Sequence, residues 1–432
     1  MRTLRLTEIV VASRCISCAC AVDDLRFHAT VWYEDVDLTA LDRDLAERLA
    51  FHVALFQLNA ICSLRPDTID LGPYARFLTP ELRRLWRTVF RRVWAQWRYE
   101  RDDPDYLPDF ANPPQPAAPP AALPAGPTEL LAFCGGGKDS LVALELLERA
   151  QLPFATLAYS HSIYGTAAHQ HALIEQVAGS SARVRAERQT VIDDFMDAPI
   201  AHMHAAETPA SVFAALPLAA ARGYRALVVA HEASANTPNL VWRGEPINHQ
   251  WGKGWEAEQL LDAYVQTLLP VRYFSLLAPI HDEVIFELLA RDAPLAARTH
   301  SCNVAKPWCG RCPKCAYVWL QFAAHLPREI VAGMFPPHLE DYDFRALLGL
   351  ADHAPFECVG SAAEARLALT LAHARGGLPP ALAALVSQAP PPADLRAFVE
   401  VLDRHGMPPH VAARVIPLLL EAAAAAARRL GL

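Results

Sequence analysis

Cys134-Gly135-Gly136-Gly137-Lys138-Asp139-Ser140 is the stretch whose reading decides the fold. Leu130-Leu131-Ala132-Phe133 before it is apolar throughout and reads as a buried strand. Leu141–Arg149 after it spaces its apolar residues as a helix does. Strand, glycine loop and helix start together make a phosphate cradle. Glycines let the backbone come close and turn its N–H groups inward, and the helix N-terminus adds free donors and a favourable dipole. Asp139 has the wrong charge for a bare phosphate, which makes it a candidate Mg²⁺ partner on a nucleotide. The spacing is not that of a Walker loop. A plain glycine turn is the alternative, but a turn does not require an Asp-Ser pair after three glycines.

The 432 residues suggest two or three domains, and 53% hydrophobic composition supplies a sizeable core. A net charge of −8 argues against a broad nucleic-acid surface. Ten cysteines in a chain of this length do not make a disulfide framework, and four of them fall in one cluster, which points to metal in a reducing compartment. The apolar run Ile9–Ala12 is cut short by Arg14 and does not make a signal peptide, and nothing approaches eighteen consecutive apolar residues. The expectation is a cytoplasmic protein with neither nucleic acid nor membrane as partner. Oligomeric state is not legible.

Outward from the glycine loop, residues 1–103 read as a small N-terminal α/β domain, with Leu25–Trp32 and Tyr33–Leu38 as strands that pair. Pro80–Tyr99 reads as a helix with Trp86, Phe90, Val93, Trp94 and Trp97 on one side. Its arginines read either as a solvated face or as a receiver of polyphosphate. Residues 104–127 hold nine prolines and read as an extended linker. Residues 128–330 alternate strand and helix, which implies a parallel sheet with helices on both faces. Ligands bind such sheets at the carboxyl ends of strands, so Ser160 and Glu232 are expected to border the same cleft as Gly136. Residues 331–432 read as a helical C-terminal subdomain. Cys15, Cys18 and Cys20 lack a nearby fourth ligand and read as core. His161, His202 and His204 read as structural.

Two further constellations carry chemistry. Cys302, Cys309, Cys312 and Cys315 stand at spacings that let four thiolates surround one tetrahedral ion, with zinc as the expected metal and an iron–sulfur cluster as the alternative. Four cysteines leave no open position, so the site is expected to be structural and to pin the loop after His300. Between Glu232 and Glu256 lies a long polar loop of the kind that binds ligands. In it, Ser234, Asn236, Asn248 and Gln250 can hydrogen-bond a peptide or sugar, Lys253 can neutralise a carboxylate or phosphate, and His249 can move a proton. Cys358, outside the metal cluster, becomes a candidate base if Lys253 lowers its pKa.

The glycine loop resembles the Ser-Gly-Gly-x-Asp-Ser loop of the PP-loop ATP pyrophosphatases, with Gly135 where that family carries Ser. The four-cysteine spacing resembles the zinc site of the 7-cyano-7-deazaguanine synthases. Glu232-x-Ser234-Ala235-Asn236, Asn248-His249-Gln250-Trp251-x-Lys253, Ser301-Cys302-Asn303 and Phe356-Glu357-Cys358-Val359-Gly360 then follow in order. Together, residues 130 to 365 resemble the ATP-dependent UDP-N-acetylmuramoyl-L-alanyl-L-glutamate epimerases of peptidoglycan synthesis, apart from Gly252 and Gly254, where larger polar residues are expected. The resemblance implies a parallel-sheet PP-loop core that binds ATP and Mg²⁺ through Gly135, Gly136, Gly137, Lys138, Asp139 and Ser140. It implies a UDP-linked muramoyl dipeptide whose terminal L-Glu is activated as an acyl-adenylate, with AMP and pyrophosphate released, and inverted to D-Glu. His249, Lys253 and Cys358 are the candidate proton carriers. A deazapurine ligase and a tRNA sulfur-transfer enzyme stay open as alternatives.

Overall fold

Residues 2–195, 207–376 and 378–432 are described by a computed structural model. His202 and His204 lie outside the described residues. The chain begins with three antiparallel strands, β1 (Thr3–Val11), β2 (Cys15–Val22) and β3 (Leu25–Tyr33). Strict alternation in β3 buries Phe27, Ala29, Val31 and Tyr33 on one face. Residues 34–38 are not the expected second strand. Asp35 takes a positive φ of 60°, and Asp37 caps a short turn at Leu38–Ala40, so the chain turns away from the sheet. The partners of β3 are instead β2 and a strand of the central region. Cys18 and Cys20 are buried on β2, and burial pushes the Cys18 thiol up to about 12, in keeping with core cysteines.

Helix α1 (Arg43–Gln57) packs beneath the meander and leads to β4 (Thr68–Asp70). The predicted aromatic helix is two helices, α2 (Pro80–Val93) and α3 (Ala95–Glu100), joined at Trp94. Its stripe is core: Trp86, Trp94 and Trp97 are fully buried, and Phe90 stacks on Trp94 at 5.1 Å. Such a pair contributes about 1 kcal/mol beyond its buried area. Most of its arginines are engaged by carboxylates: Arg83 and Arg87 by Asp109, Arg91 and Arg98 by Glu245, Arg92 by Glu256. The proline-rich stretch runs extended along the molecule. It adds β5 (Asp109–Phe110) beside β4 and bonds Ala121 N–H to the Leu268 carbonyl at 2.9 Å.

The central region supplies β6 (Leu130–Cys134), α4 (Lys138–Arg149), β7 (Phe154–His161), α5 (Ala167–Ala178), β8 (Arg185–Asp193), α6 (Glu207–Arg222) and β9 (Ala226–Val229). A hairpin follows, β10 (Leu240–Trp242) and β11 (Glu245–Ile247), then α7 (Trp255–Val265), β12 (Arg272–Ser275) and α8 (Asp282–Leu289). Among the described residues, ten strands join in one sheet in the order β12-β9-β6-β7-β8-β3-β2-β1-β4-β5. The sheet is mainly parallel, and the fold is mixed α/β. The antiparallel pairing of β3 with β8 makes the N-terminal meander continuous with the central strands. Leu131, Leu227 and Val229 join one core, while Leu130, Ala132, Ala226 and Val228 join another on the opposite face. Strands covered on both faces read as continuous apolar runs, which is why β6 and β9 stand out in the sequence.

The C-terminal third adds α9 (Ala293–Ala296), α10 (Pro313–His325), α11 (Arg328–Met334), α12 (Ala362–Arg375), α13 (Pro380–Ala383) and α14 (Pro409–Arg429). The last helix is long and apolar enough by length and composition to cross a membrane. It nonetheless buries Val411, Val415, Leu419, Ala422 and Ala426, one stripe at helical spacing, against the second core.

Candidate active site

The chain runs from β6 to β7 on one side and returns to β9 on the other, so the end of β6 lies at a switch in strand order, where open α/β sheets form a crevice. The glycine loop occupies that end. Gly136 takes φ +77°, and a Cβ there would stand 2.2 Å from Nε2 of His300. Glycine is required on both counts. His300 N–H donates to the Gly136 carbonyl at 2.9 Å, and burial holds its imidazole down at about 4, so the ring against the loop is neutral. Ser140 Oγ accepts from Gly135 N–H at 3.2 Å, and helix α4 starts at Lys138 with Asp139 in its first turn. A helix N-terminus thus lies at the switch in strand order, with the Gly135 N–H taken up by Ser140.

Lys138 does not reach into that space. It is 5% exposed, and its Nζ meets Asp139 Oδ1 at 2.6 Å and Asp282 Oδ1 at 2.5 Å. Burial works against its charge, but the two carboxylates outweigh burial and raise its pKa. Asp282 was not singled out by sequence. It opens α8, just beyond the end of β12, and the strand-end rule that located Glu232 could have found it. Ser275 ties the two strand ends, donating to the His231 carbonyl at 2.7 Å and accepting from His231 N–H at 2.8 Å. Tyr317 donates to Asp282 Oδ2 at 2.6 Å, and Glu364 accepts from the Asp282 N–H and pairs with His281. Glu232 is buried beside this group. Burial first, then the charge of Asp139, pushes it up to about 7. The charges of Asp139, Asp282 and Glu232 are thus all felt at the Lys138 ammonium.

Beside this cluster a cleft of about 380 Å³ holds His249, Gln250, Lys253 and Cys358, with Tyr164 and Glu207 also on its wall. Cys358 is half-buried. Burial alone would raise its thiol, but Lys253, then Lys314 and a hydrogen bond from His249, hold it well below the ordinary value. Lys253 in turn resists its own burial through the charges of Cys358 and Glu232. The three predicted proton carriers are thus in one group, and Lys253 links them electrically to Glu232 and Asp139.

The predicted substrate contacts fare differently. Asn236 Oδ1 accepts from Trp255 N–H at 2.8 Å, which caps α7, and its Nδ2 donates to the Ala233 carbonyl. Asn248 donates to the Ala235 carbonyl and accepts from Gln250 N–H. These two amides brace the loop itself. Gln250 Nε2 donates to the Val359 carbonyl at 2.6 Å and so fixes the segment that carries Cys358. Ser234 is buried, 3.5 Å from Glu232 Oε1. Ser160 is 1% exposed and spends its hydroxyl on His171 and Thr190, a neighbouring-strand contact rather than a crevice one. His161 pairs with Asp193. Gly254 has a steric reason: a Cβ would stand 3.2 Å from Asn236 Oδ1.

Cys302, Cys309, Cys312 and Cys315 bring their sulfurs within 4.8 Å of one another. The Cys302–Cys312 and Cys309–Cys315 separations are 3.9 and 3.8 Å. A tetrahedron of thiolates around one ion at about 2.3 Å has edges of about 3.8 Å. Backbone N–H groups of Val304, Ala305, Arg311 and Cys315 point at the sulfurs, as they do around coordinated thiolates. The donor set fits one tetrahedral metal ion.

Comparison with known proteins agrees with this geometry. Residues 62–276 match the family model described as the MurL N-terminal domain, and residues 297–393 match the MurL C-terminal domain. The N-terminal match runs through the proline-rich stretch. A Salinispora tropica protein is 32% identical over 341 residues, covering 72% of this chain and 71% of its own length. A Micromonospora relative is 33% identical over 66% of each chain, and one from Xanthomonas oryzae pv. oryzae is 32% identical over 57% of each. The chain thus spans from over half to just over two thirds of these relatives, and all three are named UDP-N-acetyl-alpha-D-muramoyl-L-alanyl-L-glutamate epimerase. No solved structure matches the chain. With both domain models matched in order and a relative 32% identical over 72% of the chain, the chain belongs to the MurL family.

Proposed function

We propose that the protein is an ATP-dependent epimerase that inverts the terminal L-Glu of UDP-MurNAc-L-Ala-L-Glu to D-Glu. The observation that carries this reading is the position of Lys253, whose charge is felt both by the Cys358 thiolate and by the Glu232–Asp139 pair of the glycine-loop crevice. One site for activation and one for proton removal then share a wall.

The chemistry needs both. A glutamyl α-proton beside a free carboxylate is very weakly acidic, because its removal puts two negative charges together. Adenylation removes the carboxylate charge and leaves a carbonyl that can hold an enolate. Each unit of acidity gained lowers the cost by about 1.4 kcal/mol. The loop donors of Gly135, Gly136 and Gly137 hold the triphosphate on this reading, with Ser140 closing the loop. Asp139 and Glu232 would hold Mg²⁺, whose charge would offset the burial and the Asp139 charge that push Glu232 up to about 7. Lys138 serves as the buried counter-ion that keeps Asp139 in place rather than as a phosphate ligand. Cys358 removes the proton, with Lys253 and His249 keeping it ionised. The four cysteines hold structural zinc. The PP-loop superfamily likeness belongs to the same reading, as does a cytoplasmic location beside the ATP supply.

The test is a reaction in D₂O with ATP, Mg²⁺ and the dipeptide substrate. Deuterium at the glutamate α-carbon, D-Glu in the product and stoichiometric AMP are the expected results. Neither deuterium nor AMP would end the proposal.

A further inference from the structure

Inversion at carbon needs a proton removed from one face and another delivered to the opposite face. His249, Lys253 and Cys358 interact with one another along one cleft wall, so the search for a partner turns to the other segments that line the same cleft. Tyr164 stands on one of them. It ends the short turn Ser162–Tyr164 that follows β7, whereas Cys358 arrives on the segment before α12. Its hydroxyl donates to Glu207 Oε2 at 3.0 Å, and Glu207 opens α6. Both residues line the same cleft as Cys358 and Lys253. Lys306 Nζ sits 5.5 Å from the centre of the Tyr164 ring.

We propose that Tyr164 is the second proton carrier of the epimerisation, facing the side of the α-carbon opposite Cys358, with Glu207 as its positioning residue. The inference rests on the epimerase reading. The cleft offers the two roles on separate segments: Cys358, beside Lys253, to accept a proton, and the Tyr164 hydroxyl, held by Glu207, to give one. Burial, followed by the charge of Glu207, keeps that hydroxyl protonated, and the charge of Cys358 is felt at it as well. In the step, the α-C–H bond breaks, its proton forms the Cys358 S–H, and the electron pair stays on the substrate as the enolate. The Tyr164 O–H bond then breaks, its proton forms the new C–H bond on the other face, and the electron pair stays on the phenolate oxygen. The thiol then loses its proton to water and the phenolate regains one from water, so the cycle closes without an oxidant or reductant. The Lys306 ammonium near the ring favours the transient phenolate.

A two-carrier site makes exchange and inversion separable. The experiment follows deuterium uptake at the glutamate α-carbon and inversion separately, in D₂O with ATP and Mg²⁺, starting from either epimer, for the wild type, Tyr164→Phe and Glu207→Gln. Tyr164→Phe is expected to lose inversion at least 100-fold and still to exchange the L-epimer within about tenfold of the wild type, but not the D-epimer. Glu207→Gln is expected to lower kcat with KM unchanged. Inversion by Tyr164→Phe within threefold of the wild type would overturn the proposal, as would equal loss of inversion and of L-epimer exchange in a variant with wild-type Tm and AMP formation. A wild type that neither exchanges nor inverts would instead overturn the epimerase reading.

Discussion

The loop at 134–140 and the loop at 232–254 line neighbouring parts of one site, yet they are built on opposite terms. The first is shaped by its backbone. Its glycines, its positive φ at Gly136 and its helix start are sequence properties, and they are found where the sequence puts them. The second is dense in polar side chains, but Asn236 and Asn248 face inward to hold the loop together. Lys253 and His249 turn to Cys358, more than 100 residues later. A side chain's direction is set by what packs against it, and composition alone does not carry that.

The sharpest way to separate the two loops is Cys358→Ser. It removes the base and leaves the activation site whole, so epimerisation should fall on the order of 10³-fold while AMP formation persists. Equal loss of both would merge the loops into one functional unit. Gly136→Ala is the converse. The new Cβ meets His300 and the backbone is held at positive φ, so AMP formation should fall about 100-fold, with a stability loss of about 1–3 kcal/mol by thermal melting.

Lys253→Met tests the electrical link. Without that ammonium the thiol rises, and the rate should follow the fraction of thiolate. At pH 7 a loss of about tenfold is expected for each unit by which the thiol rises above neutrality, recovering about tenfold per pH unit until a plateau. The wild type should lose activity only as the pH falls through its lowered thiol pKa. An unchanged pH–rate profile and an unchanged alkylation profile of Cys358 would break the link. The smallest effect belongs to Asn236→Ala. It removes a cap on α7 and should cost about 1 kcal/mol in a denaturant melt, with kcat changed less than threefold. A large rise in KM with no change in stability would return Asn236 to the substrate.

Much of the central sheet was legible because β6 and β9 are buried on both faces and carry unbroken apolar runs, and β7 opens on a buried, mostly apolar stretch. The N-terminal meander was not. β1 and β2 mix Thr, Glu, Ser and Cys with their apolar residues, and their place was fixed only by pairing through β3 to β8. The β10–β11 hairpin was missed because its turn is Arg243-Gly244. Both residues take positive φ, as the tightest hairpins require, but Arg is not the residue that usually signals it. The cysteine knuckle was legible from spacing alone. The Asp282–Tyr317–Glu364 chain was not, since it joins three helices separated by long stretches of sequence.

His300 joins the cysteine knuckle to the glycine loop. Its ring fills the space that a side chain at Gly136 would occupy, its N–H holds the Gly136 carbonyl, and Cys302 follows two residues later. On the proposed reading, metal in the knuckle and nucleotide at the loop would be coupled through this residue. If metal tightens nucleotide binding by some factor, nucleotide must slow or weaken metal loss by the same factor at equilibrium, tenfold corresponding to about 1.4 kcal/mol. A chelator should strip the protein more readily when ATP is absent. The knuckle would then report a shortage of metal as a weaker grip on ATP.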